Sequence, residues 1–136
     1  MSDRLAPTTT PDTTFFWDGL KDGKLLIQRC GGCGTLRHPP RPMCPRCNSL
    51  EWSAIESRGR GTVYSFVMPR HPPWPWFEGQ TYVVALIELE EGIRILSNLR
   101  DVDPAAITIG MPVEAFFERF DSGATLHQFR PRREAR

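Results

Sequence analysis

All four cysteines of this 136-residue chain lie in one stretch, C-G-G-C-G-T-L-R-H-P-P-R-P-M-C-P-R-C, residues 30–47. Cys30 and Cys33 form one C-x-x-C pair, and Cys44 and Cys47 form a second, with ten residues between them. Each such loop turns two sulfurs toward one point, and a connector of this length folds back far enough to close a tetrahedron of thiolates around a single ion. Gly32 and Gly34 allow the tight turn at the first pair, and Pro45 stiffens the second. The donor set points to Zn2+; iron is the competing ion, because C-x-x-C-G and C-P-x-C knuckles also occur in rubredoxin-like sites. Four protein ligands leave no position for water or substrate, so the expected role is structural. A site of this kind contributes on the order of 10 kcal/mol, enough to fold a segment that has little core of its own.

With every cysteine assigned to metal, no thiol nucleophile is left. The remaining histidines are His38, His71 and His127, two of them preceding prolines in expected loops and the third in an expected strand. Ser122 lies near His127 but in no nucleophile-elbow motif. Glu88 and Glu90 share one strand face, Glu91 belongs to a turn, and Asp103-Pro104 reads as the start of a turn or short helix, so no acid/base pair is specified. Neither a phosphate-binding P-loop nor a G-x-G-x-x-G motif is present. The catalytic expectation is therefore none.

The elements that must position the cysteines follow from pattern. Residues 1–24 read as a polar lead-in and a helical arm, with Thr13 or Thr14 at its start, Phe15, Phe16 and Leu20 on or near one face, and Gly23 ending it. Residues 25–57 form the metal ribbon, entered by the strand L-L-I-Q-R and left by E-W-S-A-I-E-S. Residues 58–130 hold five β-prone runs, at 58–68, 81–90, 93–99, 113–120 and 125–130, with E-E-G as a hairpin turn and a short helical turn after the third run. Five short strands interrupted after the third suit an OB-fold barrel, although an open sandwich shares that pattern. Residues 131–136 are a basic tail. The fold class expected is mainly β: an N-terminal helical arm, a four-cysteine zinc ribbon and a five-stranded OB-fold barrel.

Bulk properties agree. Thirteen prolines and eleven glycines favour turns over long helices, and 40% hydrophobic with 24% charged residues fits a globular domain. A net charge of +1 argues against a dedicated nucleic-acid binder, which usually carries a basic domain. Neither a membrane-length apolar run nor a signal-peptide core is visible, so a cytoplasmic location is expected.

Two aromatic groups exceed what small elements bury beneath themselves. Phe15, Phe16 and Trp17 are consecutive on the arm, and P-R-H-P-P-W-P-W-F-E-G-Q (69–80) carries His71, Trp74, Trp76 and Phe77 between two strands. Leaving such side chains in water costs roughly 1.5–3 kcal/mol each. Both groups read either as rings folded onto their own chain or as anchors for a partner. Arg37, Arg41 and Arg70 lie nearby in sequence, and guanidinium groups beside an aromatic loop suit a phosphorylated ligand.

In order and spacing, F-F-W-D-G-L-K-D-G-K-L, the cysteine stretch, G-R-G-T-V-Y-S-F, V-V-A-L-I-E-L-E-E-G-I-R-I-L-S-N-L and I-G-M-P-V-E-A-F-F resemble the DUF35 family over residues 13–131. The resemblance implies a rubredoxin-like zinc ribbon ligated by Cys30, Cys33, Cys44 and Cys47, followed by an OB barrel. It also implies a thiolase-fold acyl-CoA enzyme as partner, either a thiolase or a lipid-transfer-type aldolase of fatty-acid or steroid side-chain degradation. Some members of the family are the C-terminal domain of an enoyl-CoA hydratase subunit, and this chain could be such a domain. A CoA thioester near Arg37, Arg41 and Arg70 is a further expectation. The function expected is a non-catalytic accessory subunit in a hetero-oligomer. The alternatives are a nucleic-acid-binding protein and a rubredoxin-like electron carrier.

Overall fold

The computed structural model describes residues 4–70 and 81–133. Helix α1 spans Thr14–Lys21, with Phe16 and Leu20 one turn apart on its buried face. Its end is set by Gly23 at φ +74. The Gly23 amide donates to Leu20 O, and the Lys24 amide donates to Gly19 O at 2.8 Å. These two bonds occupy carbonyls that the last helical turn leaves open.

Strand β1 (Leu26–Cys30) is the centre of a three-stranded antiparallel sheet, flanked by β2 (Leu36–Arg37) and β3 (Trp52–Glu56). Glu56 pairs with Leu26 and Trp52 with Cys30, so β1 carries the chain directly into the first cysteine loop. The two-residue β2 is too short to show an alternation and was not expected from sequence.

The second sheet contains β4 (Arg60–Val67), β5 (Val84–Leu89), β6 (Arg94–Asn98), β7 (Pro112–Arg119) and β8 (Thr125–Pro131), in the order β6-β5-β4-β7-β8. All neighbours are antiparallel. The sheet curls until its two edges meet at a parallel bridge between Leu99 and Phe129, beside a bond from the Arg100 amide to Phe129 O at 2.8 Å. First strand against second and fourth, with third touching fifth in parallel, is the OB order, which settles the barrel against the open sandwich. A bulge between Val63 and Ser65 bends β4. Gly61 permits the close pairing of β4 with β5, since a Cβ there would run into the Glu88 carbonyl. Between β6 and β7 a single 3₁₀ turn, Pro104–Ala106, starts where Asp103 Oδ1 accepts the Ala105 amide.

Alternation accounts for the core. In β5 the burial runs half-buried and buried in turn, as a strand with one face inward requires. Val63, Ala85, Ile87, Ile95, Val113 and Phe129 fill the barrel, and Phe16, Leu20, Leu25 and Ile27 belong to the same cluster. α1 packs against both β8 and β1. The expected arm is therefore an integral helix, which joins the ribbon to the barrel through one continuous core. No helix is long and apolar enough to cross a membrane among the described residues.

Candidate metal centre and the seam beside it

The two cysteine loops have the same construction. Cys30 closes β1; its amide donates to Thr35 O at 2.9 Å, and its carbonyl accepts the Gly34 amide at 3.0 Å. The second loop repeats this, with the Cys44 amide on Ser49 O at 3.0 Å and the Asn48 amide on Cys44 O at 2.9 Å. The residue four places after each leading cysteine has positive φ, Gly34 at +77 and Asn48 at +63. Asparagine tolerates that region better than other side chains, so Asn48 is the counterpart of Gly34, a correspondence the sequence reading missed.

Amides then point at sulfur. Gly32 N and Cys33 N donate to Cys30 Sγ at 3.2 and 3.4 Å, and Arg46 N donates to Cys44 Sγ at 3.4 Å. The Cys33 amide, helped by that of Gly32, holds the Cys30 thiol down to about 6. The neighbouring sulfurs instead push the Cys47 thiol up to about 11, so the crowded set favours a thiolate at Cys30, and Cys47 needs a cation to lose its proton. All four Sγ atoms lie within 4.8 Å of one another, with Cys30–Cys47 at 3.4 Å and Cys33–Cys44 at 3.7 Å. Tetrahedral bonds of ~2.3 Å to sulfur place ligands ~3.8 Å apart, so the residues present fit one thiolate-bound ion. Cys30 and Cys44 are buried, and Cys33 and Cys47 are exposed.

The connector between the loops is tied to β1 by side chains. Gln28, buried in β1, donates from Nε2 to Arg41 O at 2.9 Å and accepts the Arg41 amide at 2.8 Å. Arg37 Nη2 and Nε donate to the same carbonyl at 3.0 and 3.3 Å. Arg37 is itself buried, at 6% exposure. Arg37 and Arg41 line one cavity, whereas Arg70 is exposed and is not part of that lining.

The three consecutive aromatics of α1 go to different places. The Phe15 ring lies 4.6 Å from Trp52 of the ribbon. Phe16, at 3% exposure, sits between His38 of the connector and His127 of β8, with centroids at 5.3 and 5.4 Å. That position corrects the expectation of Phe16 as a partner anchor: it is packed inside its own chain. Trp17 is half-buried and lies 6.5 Å from His127. His127 Nε2 donates to Leu96 O at 2.9 Å while Ser97 Oγ donates to His127 O at 2.9 Å, so side chains fasten the β6–β8 seam where the backbone ladder is a single bridge. Burial pushes the pKa of both rings down, His38 to about 4 with His127 adding to the effect. His71, Trp74, Trp76 and Phe77 lie outside the described residues.

A rubredoxin-like metal ribbon continuous with an OB barrel defines the class of the protein. Residues 17–53 match the family described as "ChsH2, rubredoxin-like zinc ribbon domain", and residues 54–118 match "ChsH2, C-terminal OB-fold domain". A "DUF35 domain-containing scaffold protein" of Methanocaldococcus jannaschii is 40% identical over 76% of this chain and 74% of its own length. The chain belongs to the DUF35 family. It is 47% identical to a "Probable enoyl-CoA hydratase alpha subunit" of Thermomonospora curvata, over 94% of this chain but 40% of that protein. It therefore spans about two fifths of that longer relative. It is also 31% identical, over 76% of its length and 81% of the other's, to the "Benzoylsuccinyl-CoA thiolase subunit BbsA" of Thauera aromatica. Among solved structures, a chain of an "Ltp2-ChsH2(DUF35) aldolase" superposes with a TM-score of 0.87 at 47% identity, covering 92% of this chain and 98% of that one.

Proposed function

We propose that this chain is a non-catalytic accessory subunit that docks on a thiolase-fold acyl-CoA enzyme and supports its assembly, stability or substrate access. The observation that carries the reading is the match, over nearly the whole of both chains, to a component of an aldolase complex. The name of the thiolase-subunit relative points the same way. Site chemistry is consistent: the four thiolates saturate one ion and offer no open coordination position. The ion is zinc on this reading, held by Cys30, Cys33, Cys44 and Cys47, and it supplies structure rather than Lewis acidity; an iron-loaded carrier would be coloured. Phe15 and Trp17, both half-buried, are the docking anchors on α1, together with His71, Trp74, Trp76 and Phe77 of the segment between β4 and β5. A hydratase subunit is a further partner in the assembly, or the rest of the same polypeptide if this chain is one part of a longer protein. The cytoplasm, which keeps thiols reduced, is the expected compartment.

Affinity capture from native lysate at moderate salt, with mass spectrometric identification, tests this reading. A thiolase or aldolase subunit in near-equal amount is the expected result. Recovery of nucleic acid alone, released by added salt, would replace the reading with the nucleic-acid alternative.

A further inference from the structure

Between the ribbon connector and the β5–β6 hairpin lies a cavity of about 420 Å³, lined among others by Arg37, His38, Arg41, Glu88 and Arg94. Among the described residues that line it, Arg37, Arg41 and Arg94 are cationic and Glu88 is anionic, an excess of two positive charges. His38 adds no charge near neutral pH, because burial keeps it neutral. Glu88 and Arg94 are directly opposite across the hairpin, yet the ion pairs among the described residues do not join them. Arg94 instead lies over the Tyr64 ring, its Cζ 3.7 Å from the centroid, which leaves the edge of its guanidinium to bond elsewhere.

The decisive residue is Arg37. It is buried, at 6% exposure, and always charged, and among the described residues its side chain bonds to one neutral backbone carbonyl. Its Nη1 is buried without a partner there. A buried guanidinium with neither a carboxylate nor a full set of acceptors is costly, and native proteins seldom leave one so. Gln28 and Arg37 together fix the Arg41 backbone through three donors on its carbonyl and one acceptor for its amide, so Arg41 is held at the cavity in advance of any ligand.

We infer that this cavity binds a phosphate group, with Arg37 as the buried charge behind it and Arg41 and Arg94 as the exposed arms that close on its oxygens. The excess of two positive charges matches a phosphate monoester or a diphosphate dianion, and paired guanidinium groups suit phosphate oxygens. The volume exceeds what a bare ion fills, so the group that carries the phosphate can enter with it. The inference concerns the isolated chain and stands whether or not the docking proposal holds.

Calorimetric titration of the zinc-loaded full chain at low salt tests it, with pyrophosphate and adenosine 3′,5′-bisphosphate as separate probes. One-to-one saturable binding of either is expected, with shifts of the Arg41 amide and Arg37 Nε resonances in nitrogen-15 spectra. The stronger probe tells whether a nucleotide-borne or a free phosphate is preferred. The double variant Arg41→Ala with Arg94→Ala changes only exposed side chains; it should keep its melting temperature and lose at least about tenfold in affinity. Arg37→Lys should retain the charge but lose a severalfold share of affinity. Absence of saturable binding for both probes, or a double variant that binds like the parent chain, would overturn the site.

Discussion

The ribbon and the barrel are stabilised by different means although they share one chain and one core. In the barrel, β5 and β6 turn alternate residues inward, and Phe129, Ile87 and Val113 are fully buried. In the ribbon, four of the five residues of β3 are exposed, and Met43, Leu50 and Trp52 are 48%, 65% and 38% exposed. Of the ribbon residues, Leu25 and Ile27 are buried in the shared cluster, and Leu36 and Ile55 are only partly buried against it. The barrel is held by apolar burial, whereas the ribbon gathers four cysteines in an arrangement that fits one metal ion and is tied by the hydrogen bonds of Gln28 and Arg37 to Arg41 O. A metal bound by the four cysteines would fold a segment with so little core, and the helix carrying Phe15 and Trp17 rests partly upon that segment.

The largest expected effect separates the two regions. Chelation, or Cys44→Ser, removes a site contribution on the order of 10 kcal/mol, so the ribbon should unfold while part of the barrel survives. In amide exchange spectra, β1 and β3 should lose protection before β4 and β5; simultaneous loss would mean that the metal serves both regions equally. Next in size is the helix that spans them. Phe16→Ala should cost about 3–5 kcal/mol, because it empties a position packed by ribbon and barrel together. Chemical denaturation gives the value, and a loss below about 1 kcal/mol would show the two regions to be energetically independent of that ring.

The smallest effect is the pH dependence of the seam. His38 titrates near 4 in the fold against an ordinary 6.5, chiefly because it is buried, and the shift of His127 has the same direction. Between those values the unfolded chain binds more protons, so stability is full above about pH 6.5 and falls as pH drops toward 4. For His38 the whole loss is at most about 3 kcal/mol. Melting temperatures of the parent chain and His38→Asn, followed from pH 7 to 5, isolate this term from acid effects on the thiolates. Parallel curves would remove His38 as the cause.

The legible parts of this molecule are those whose signal is local. Four cysteines at fixed spacing announce a metal, and the five barrel strands show themselves through alternation and turn residues. The helix was also legible, but not its partners: three adjacent rings look alike in sequence, and only the packing distinguishes buried Phe16 from half-buried Phe15 and Trp17. The burial of Arg37 is hidden for a related reason. An arginine beside prolines reads as surface, yet this one is buried and bonds to the Arg41 carbonyl. The fastening of β6 to β8 by Ser97 and His127 joins residues 30 positions apart, a distance at which pattern carries no signal.

Native mass spectrometry of the purified assembly at moderate salt tests the central claim most directly. The account predicts a complex in which each copy of this chain carries one zinc ion and is paired with a thiolase-fold subunit, and from which chelation releases the chain. A chain that remains alone with its zinc in place, or one associated only with nucleic acid, would contradict it.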